Sequence, residues 1–565
     1  MLKRLSKIWF YLIIFAISLF LLKDLFQLGF PDTHDGHNHL ARFANLWLTV
    51  RSGQIPPRFA PNLDHGFGYP VFNFNYYLPF FMALFYKLLF SLSLEISLKA
   101  AFISFYVLGG WGVFSWLRKK IHPPLALLAS LVYLTMPYQL VNIFVRGNTG
   151  EVAILGILPW VFWALDKLKP KLDKNTIVSA IIISIYWLSH NLTSLTGLPF
   201  ILFYHFFTNR KKLGNKPFIR QSLVIFCLSI SLTAFFYLPA FFEKKYTLLD
   251  GIIQNQQLND HFLYPSQLIS SAWGYGYSEP GLNDDMSFSL GLPHFILSLL
   301  NLIFIVILLF KKKLKATQLK SYLFFLFFFT LIIFLTLNSS QFIYQLIKPL
   351  QYLQFPWRWL TLIPLCLAFL ATWGFNKIKQ IKALNLVYFI LGLILIATAL
   401  PIARASNYFH NQQDDFYYKL FITSSTMHEN TSKWFVRDSV YDFKPPYVLE
   451  RTSQAREIVL KWTAKKHQYQ IQSNQPLDIV EHTAYFPGWQ TKANGQLVDI
   501  NYQDSQFPGF ISFKLPPGDY QIETVFTQKT PARIIGNSLS LAGLAATIFL
   551  WLKLQYKHPY EKKKK

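Results

Sequence analysis

The chain has 565 residues, 52% of them hydrophobic and 18% aromatic, with a mean hydropathy of +0.28. This excludes an ordinary soluble protein and leaves room for many membrane spans. Its net charge of +26 would point to nucleic acid in a soluble chain, but most of the basic residues sit between apolar runs, where they report topology instead. Cys227 and Cys366 both lie in apolar stretches, which argues against a disulfide framework or a cysteine-based metal site.

In chain order, residues 8–22 form the first apolar run. Lys3, Arg4 and Lys7 precede it and no small-residue cleavage site follows, so it reads as an uncleaved span with the N-terminus inside. Further runs at about 98–117, 124–143, 152–166, 176–190, 192–207, 221–240, 292–310, 320–337, 357–374, 384–402 and 536–553 bring the total to about twelve crossings. With that count the basic clusters at 118–120, 167–174, 210–216, 311–320, 377–382 and 562–565 all fall inside, as the positive-inside rule requires. Residues 76–92, short and carrying Pro79 and Lys87, must then be re-entrant or interfacial. The 176–190 and 192–207 runs are short enough to form a tight hairpin around His190 and Asn191.

Residues 1–403 thus read as a membrane domain with external loops at 24–97 and 241–291, the latter long enough to act as a lid. Residues 404–534 change character, with alternating runs broken by Asn494-Gly495 and Pro516-Pro517-Gly518 turns, and read as an external β-sandwich. Residues 535–565 supply a last span and a basic tail suited to acidic lipid head groups.

The densest chemistry lies at residues 34–42, HDGHNHLAR. Asp35, His39 and Arg42 fall on one helical face, while Leu40, Phe43, Ala44, Trp47 and Val50 form another, so the segment predicts an amphipathic helix with its apolar side in lipid and its polar side on a cleft. Asp35 suits a general base, with capping of the helix as the bland alternative for an acidic residue there. Asp32 or Thr33 can fill the cap instead. His34, His37 and His39 with Asp35 have spacing compatible with a divalent cation, Asp35 and His39 above all. The cluster is local and no distant ligand is identifiable, so no cofactor is assigned and His39 is read as the orienter of Asp35. Arg146 and Glu151 sit at the external end of a span, where a charged pair must face a cleft or pair internally. Arg358 follows Pro356 in the first turn of the next span, where it favours an anion, with interfacial snorkelling between Trp357 and Trp359 as the bland alternative. Asp260, His261, Asp284 and Asp285 read as solvated loop charges.

The plan of a charged loop after span one and a short charged loop after span three resembles the GT-C superfamily of polytopic glycosyltransferases. More narrowly, His34-Asp35 with His39 and Arg42, Gly66-Phe67-Gly68-Tyr69-Pro70, Arg146-Gly147 with Glu151, and Phe355-Pro356-Trp357-Arg358 resemble the bacterial "6-pyruvoyl-tetrahydropterin synthase-related" membrane proteins. Tyr485-Phe486-Pro487-Gly488-Trp489 with Leu515-Pro516-Pro517-Gly518 is similar to the external domain of YfhO-type membrane proteins.

The resemblance implies a GT-C-like multi-pass protein of the cytoplasmic (inner) membrane, with both termini cytoplasmic and residues 404–534 outside. It implies transfer of a sugar from a polyprenyl-phosphate donor to an envelope glycan, lipid or protein acceptor. Asp35 would then be the base and His39 its orienter. Glu151 would be a second acidic contact, and Arg42, Arg146, Arg358 and His34 would bind substrate. Two rival readings are a lipid-linked glycan transporter or accessory, and an envelope scaffold whose β-domain binds a partner. A transporter should place ionisable groups near the bilayer midplane, and this chain concentrates them in loops and span ends.

Overall fold

The computed structural model describes residues 2–254, 258–378, 382–409, 413–420, 428–436, 448–450 and 455–556. The basic tail at 562–565 and part of the 377–382 cluster lie outside the described residues.

The apolar runs are helical, in stretches of unequal length. Among the described residues, six helical stretches are long and apolar enough to span a bilayer: Leu94–Leu117, Thr149–Asp166, Asn215–Tyr246, Leu292–Phe310, Pro356–Lys377 and Pro531–Gln555. A seventh span requires joining Pro123–Leu134 to Pro137–Phe144 across a 46° bend. Pro137 causes the bend, because it has no N–H to donate and holds Met136 extended at φ −62, ψ 130. Polar side chains repair the break: Gln139 donates to the Tyr133 carbonyl at 2.6 Å, and Thr135 Oγ1 meets His294 Nε2 at 3.0 Å. Ile8–Leu21, Leu78–Phe90, Lys320–Thr336 and Ala383–Ala399 are apolar but shorter. The Lys174–Trp187 helix has 14 residues, about 21 Å against a hydrocarbon core of about 30 Å. The Asn191–Leu213 helix follows it directly, with His190 as its N-cap.

The bundle has two chemically different ends. Lys120 pairs with Asp166 at 2.6 Å and Lys212 donates to the Asp166 carbonyl. Gln221 donates to the Lys169 carbonyl at 2.6 Å. These contacts gather three of the basic clusters at one end. His34, Asp35, Arg146 and Arg358 lie at the other.

At that second end the described residues form eight strands. These are β1 (Val448–Glu450), β2 (Arg456–Trp462), β3 (Lys466–Ser473), β4 (Leu477–Ala484), β5 (Trp489–Ala493), β6 (Gln496–Val498), β7 (Phe510–Leu515) and β8 (Gly518–Phe526). They make two antiparallel sheets, β1-β4-β7 and β2-β3-β8-β5-β6. Alternation turns one side of each strand inward, so Tyr469, Ile471, Ile479, Ile511, Phe513 and Ile522 share one core. Asn494 and Gly495 turn β5 into β6 at φ 48 and 83, the left-handed conformation that a tight hairpin needs.

The loop at 52–75 clasps the sheets to the bundle. Phe59 packs on Trp489 and Phe526 at 5.4 and 5.5 Å. Arg58, fully buried, donates to the Phe235 carbonyl at 2.6 Å and to Gln528 at 3.3 Å. Beside it, Arg533 meets Glu243 at 2.7 Å, and Asn73 donates to the same carboxylate at 2.8 Å. Both members of the ion pair are buried, so removing one strands the other without a counter-charge. Arg533→Leu should therefore destabilise the full chain by about 3–5 kcal/mol, read by chemical unfolding in detergent. A loss below about 1 kcal/mol would mean that the pair does not hold the last helix.

Candidate functional site

The Gly36–Arg51 helix begins at Asp35, whose side chain makes no capping hydrogen bond. The backbone holds the helix start in place. The N–H groups of His34 and Asp35 donate to the carbonyls of Val145 and Arg146 at 3.0 and 2.9 Å. Gly147 makes this approach feasible at φ +64, since a Cβ there would lie 2.2 Å from Thr33 Oγ1. The Asp35 carboxylate is left half-buried and uncommitted as a cap.

Most of the helix face expected to meet lipid is enclosed by protein, with Trp47 and Val50 partly exposed. Leu40, Phe43 and Ala44 are fully buried, and so are the polar Asn45 and Thr49, which bond back to backbone carbonyls. An amphipathic pattern shows which side seeks apolar surroundings; here protein supplies them.

The three histidines diverge. His34 Nε2 donates to the Tyr275 carbonyl at 3.1 Å and its ring stacks on Tyr277 at 4.3 Å. His37 stacks on Phe409 at 3.4 Å. His39 turns inward against Phe80 at 5.7 Å, and neither of its ring nitrogens has a hydrogen-bond partner. The expected hydrogen bond from His39 to Asp35 is therefore not formed. Among the described residues no three His, Cys, Asp or Glu side chains gather as a metal site.

Glu151 is the centre of the site. Asn148 caps its helix through the Glu151 N–H at 2.9 Å, which fixes the first turn. The carboxylate is fully buried, with Oε1 at 2.9 Å from Arg146 and 3.6 Å from Arg358. Its Oε2 accepts from Tyr138 at 2.9 Å and from Thr361 at 2.7 Å. That enclosure is at odds with Glu151 touching an acceptor directly; its position instead ties two arginines together. Arg146 also lies over the Trp357 ring at 4.5 Å. Arg358 donates to the Leu353 carbonyl and Gln354 at 3.0 and 3.1 Å. Its burial, at 9% exposure, sets aside snorkelling at the membrane surface.

The remaining groups close around this centre. Arg42 is buried with its guanidinium 5.9 Å from Phe80. Tyr76 stacks on His190 at 4.9 Å and hydrogen-bonds Thr149 at 3.3 Å. Asp35 lies within electrostatic range of Tyr76, Arg146 and Arg358. Asp35, His39, Arg42, Arg146, Glu151 and Arg358 therefore share one constellation, whereas exposed Asp32 stands outside it. Three guanidiniums face two carboxylates, leaving a positive excess suited to a bound anion.

Residues 258–291 roof the outer side. Tyr275 and Tyr277 reach His34, while His261 meets Phe355 at 4.8 Å and Phe288 meets Trp357 at 5.4 Å. Asp284, read from sequence as solvated, accepts from Gln267 and from the Glu279 N–H within the loop itself. Tyr138 and Thr361 escaped the sequence reading. Thr361 stands three residues beyond Arg358, a helical spacing that could have found it; Tyr138 offered no such signal.

Residues 74–407 match the family model described as "6-pyruvoyl-tetrahydropterin synthase related domain; membrane protein", more than half of the chain. The chain belongs to this membrane protein family. The family region holds Arg146, Glu151, His190 and Arg358 and begins after Asp35, His39 and Arg42. An uncharacterized protein of Lactococcus lactis subsp. cremoris (strain MG1363) is 26% identical over 247 residues, covering 41% of this chain and 39% of that relative. The chain thus matches about two fifths of the relative's length. A solved structure of the arabinofuranosyltransferase AftD from mycobacteria aligns with 70% of this chain and 26% of its own, at 13% identity and a TM-score of 0.41.

His39 also makes the site sensitive to acid. Burial, then the charges of Arg42, His190 and Arg146, hold its pKa well below the ordinary 6.5, so it is neutral in the folded chain. Below the ordinary value the unfolded chain gains a proton that the folded chain does not. The stability contributed by neutral His39 is thus present above pH 6.5 and lost as pH falls towards the folded value. His39→Gln should reduce the loss of thermal stability between about pH 7.5 and about pH 5. An unchanged pH dependence in melting experiments would contradict this.

Proposed function

We propose that this protein is a GT-C-like glycosyltransferase that moves a sugar from a polyprenyl-phosphate donor to a cell-envelope acceptor, at the end of the bundle opposite the basic clusters. One observation carries the reading: an uncapped Asp35 carboxylate beside an excess of buried guanidinium groups. A base and a phosphate holder are the two parts such a transfer requires.

Asp35 takes the proton of an acceptor hydroxyl as its oxygen bonds to the anomeric carbon. The bond from that carbon to the phosphate oxygen breaks, and the phosphodiester monoanion leaves as a polyprenyl phosphate that gains negative charge. Arg42, Arg146 and Arg358 stabilise the growing charge. Glu151 acts through Arg146 and Arg358 as a positioning residue. The unpartnered nitrogens of neutral His39 offer one donor and one acceptor to a substrate hydroxyl or phosphate oxygen. His34, held by Tyr275, closes the outer side, and the isoprenoid tail lies between helices.

The test uses full-length protein in liposomes with labelled polyprenyl-phosphate sugars and envelope acceptors. Asp35→Asn should insert and fold normally while transfer falls about 10²–10⁴-fold, and Asp32→Asn should stay active. A normally active Asp35→Asn variant would remove Asp35 as the base. A wild-type protein that transfers none of the sugars would overturn the reading.

A further inference from the structure

A second polar site lies at the opposite end of the bundle and is independent of the proposed transfer. A cavity of about 910 Å³ opens there between the last turns of the Asn191–Leu213 helix and the start of the Lys320–Thr336 helix. Its rim carries Lys120, Arg210, Lys211 and Lys320, and among the described residues no carboxylate lines it. Lys120 is committed to Asp166 at 2.6 Å and Tyr204 at 3.0 Å. Arg210 lies over Phe206 at 5.0 Å and reaches Asn215 at 3.4 Å. Lys211 and Lys320 are exposed and form no ion pair among the described residues.

The wall beneath this rim is aromatic. Phe207 stacks on Phe324 at 5.2 Å, with buried Phe325 and Phe369 behind. Phe206 and Phe207 are 47% and 42% exposed, so the wall opens outward from the bundle. A cationic rim above an outward-facing apolar wall matches a molecule with an anionic head and a hydrocarbon tail. A soluble phosphate ester would satisfy the lysines and leave the phenyl rings uncovered. The basic ends of spans face the leaflet that carries anionic lipids.

We propose that this cavity holds an anionic phospholipid, its phosphate between Lys211 and Lys320 and an acyl chain along Phe206, Phe207 and Phe324. The excess of cations selects an anionic head group over a zwitterionic one.

Full-length protein would be reconstituted with equal phosphatidylglycerol and phosphatidylcholine, gently delipidated, and its retained lipid counted by native mass spectrometry. A photoreactive phosphatidylglycerol would map the contact. Retained phosphatidylglycerol should exceed phosphatidylcholine, and its adducts should fall on residues 204–215 or 320–328. Lys211→Gln with Lys320→Gln, both exposed, should keep the fold and lower the preference at least about tenfold. Equal retention of the two lipids, adducts elsewhere, or a preference unchanged in the double variant would overturn the assignment. Displacement of the lipid by glycerol phosphate alone would also overturn it, because the acyl chain would then contribute nothing.

Discussion

A fully buried carboxylate cannot stay ionised without counter-charge, and Glu151 obtains it from Arg146 and Arg358. Tyr138 and Thr361 fill its remaining acceptor positions. This one group therefore joins the Pro137–Phe144 helix, the turn at 145–148, the Thr149–Asp166 helix and the turn that starts at Pro356. The Arg146 turn also receives the backbone N–H groups of His34 and Asp35. The Glu151 tie thereby sets where the Gly36–Arg51 helix begins, and with it the position of Asp35.

The same physics explains why the two ends of the bundle differ. At one end, charge is enclosed with guanidiniums in excess of carboxylates, and tyrosines and phenylalanines from 258–291 cover it. At the other, lysines stand exposed at helix ends over exposed phenyl rings. Between the bundle and the β-sheets, the loop at 52–75 carries Arg58 into a wholly buried position and Phe59 into the sheet core. The sheets therefore rest against the bundle through packing and buried polar contacts as well as through the covalent chain.

Periodicity revealed the helices and strands well, because apolar runs and alternating patterns are local properties. Helix lengths were less legible. Pro137 interrupts a continuous apolar run, and the Lys174–Trp187 helix has only 14 residues before His190 caps the next one. The start of the Gly36–Arg51 helix was visible at Asp35, but hydrophobicity could not distinguish lipid from the protein that covers it. Local spacing put His34, His37 and His39 together, whereas packing separates them onto Tyr277, Phe409 and Phe80. Long-range pairs left no trace in sequence: Glu243 and Arg533 lie 290 residues apart.

The central claim is that the guanidinium groups around Glu151 form a phosphate site beside Asp35. A cryo-EM map of the full chain with bound polyprenyl phosphate tests it most directly. Phosphate density is expected among Arg42, Arg146 and Arg358, with the isoprenoid tail leaving between helices and Asp35 at the open side. Phosphate density confined to any other part of the molecule, with these three arginines unoccupied, would contradict it.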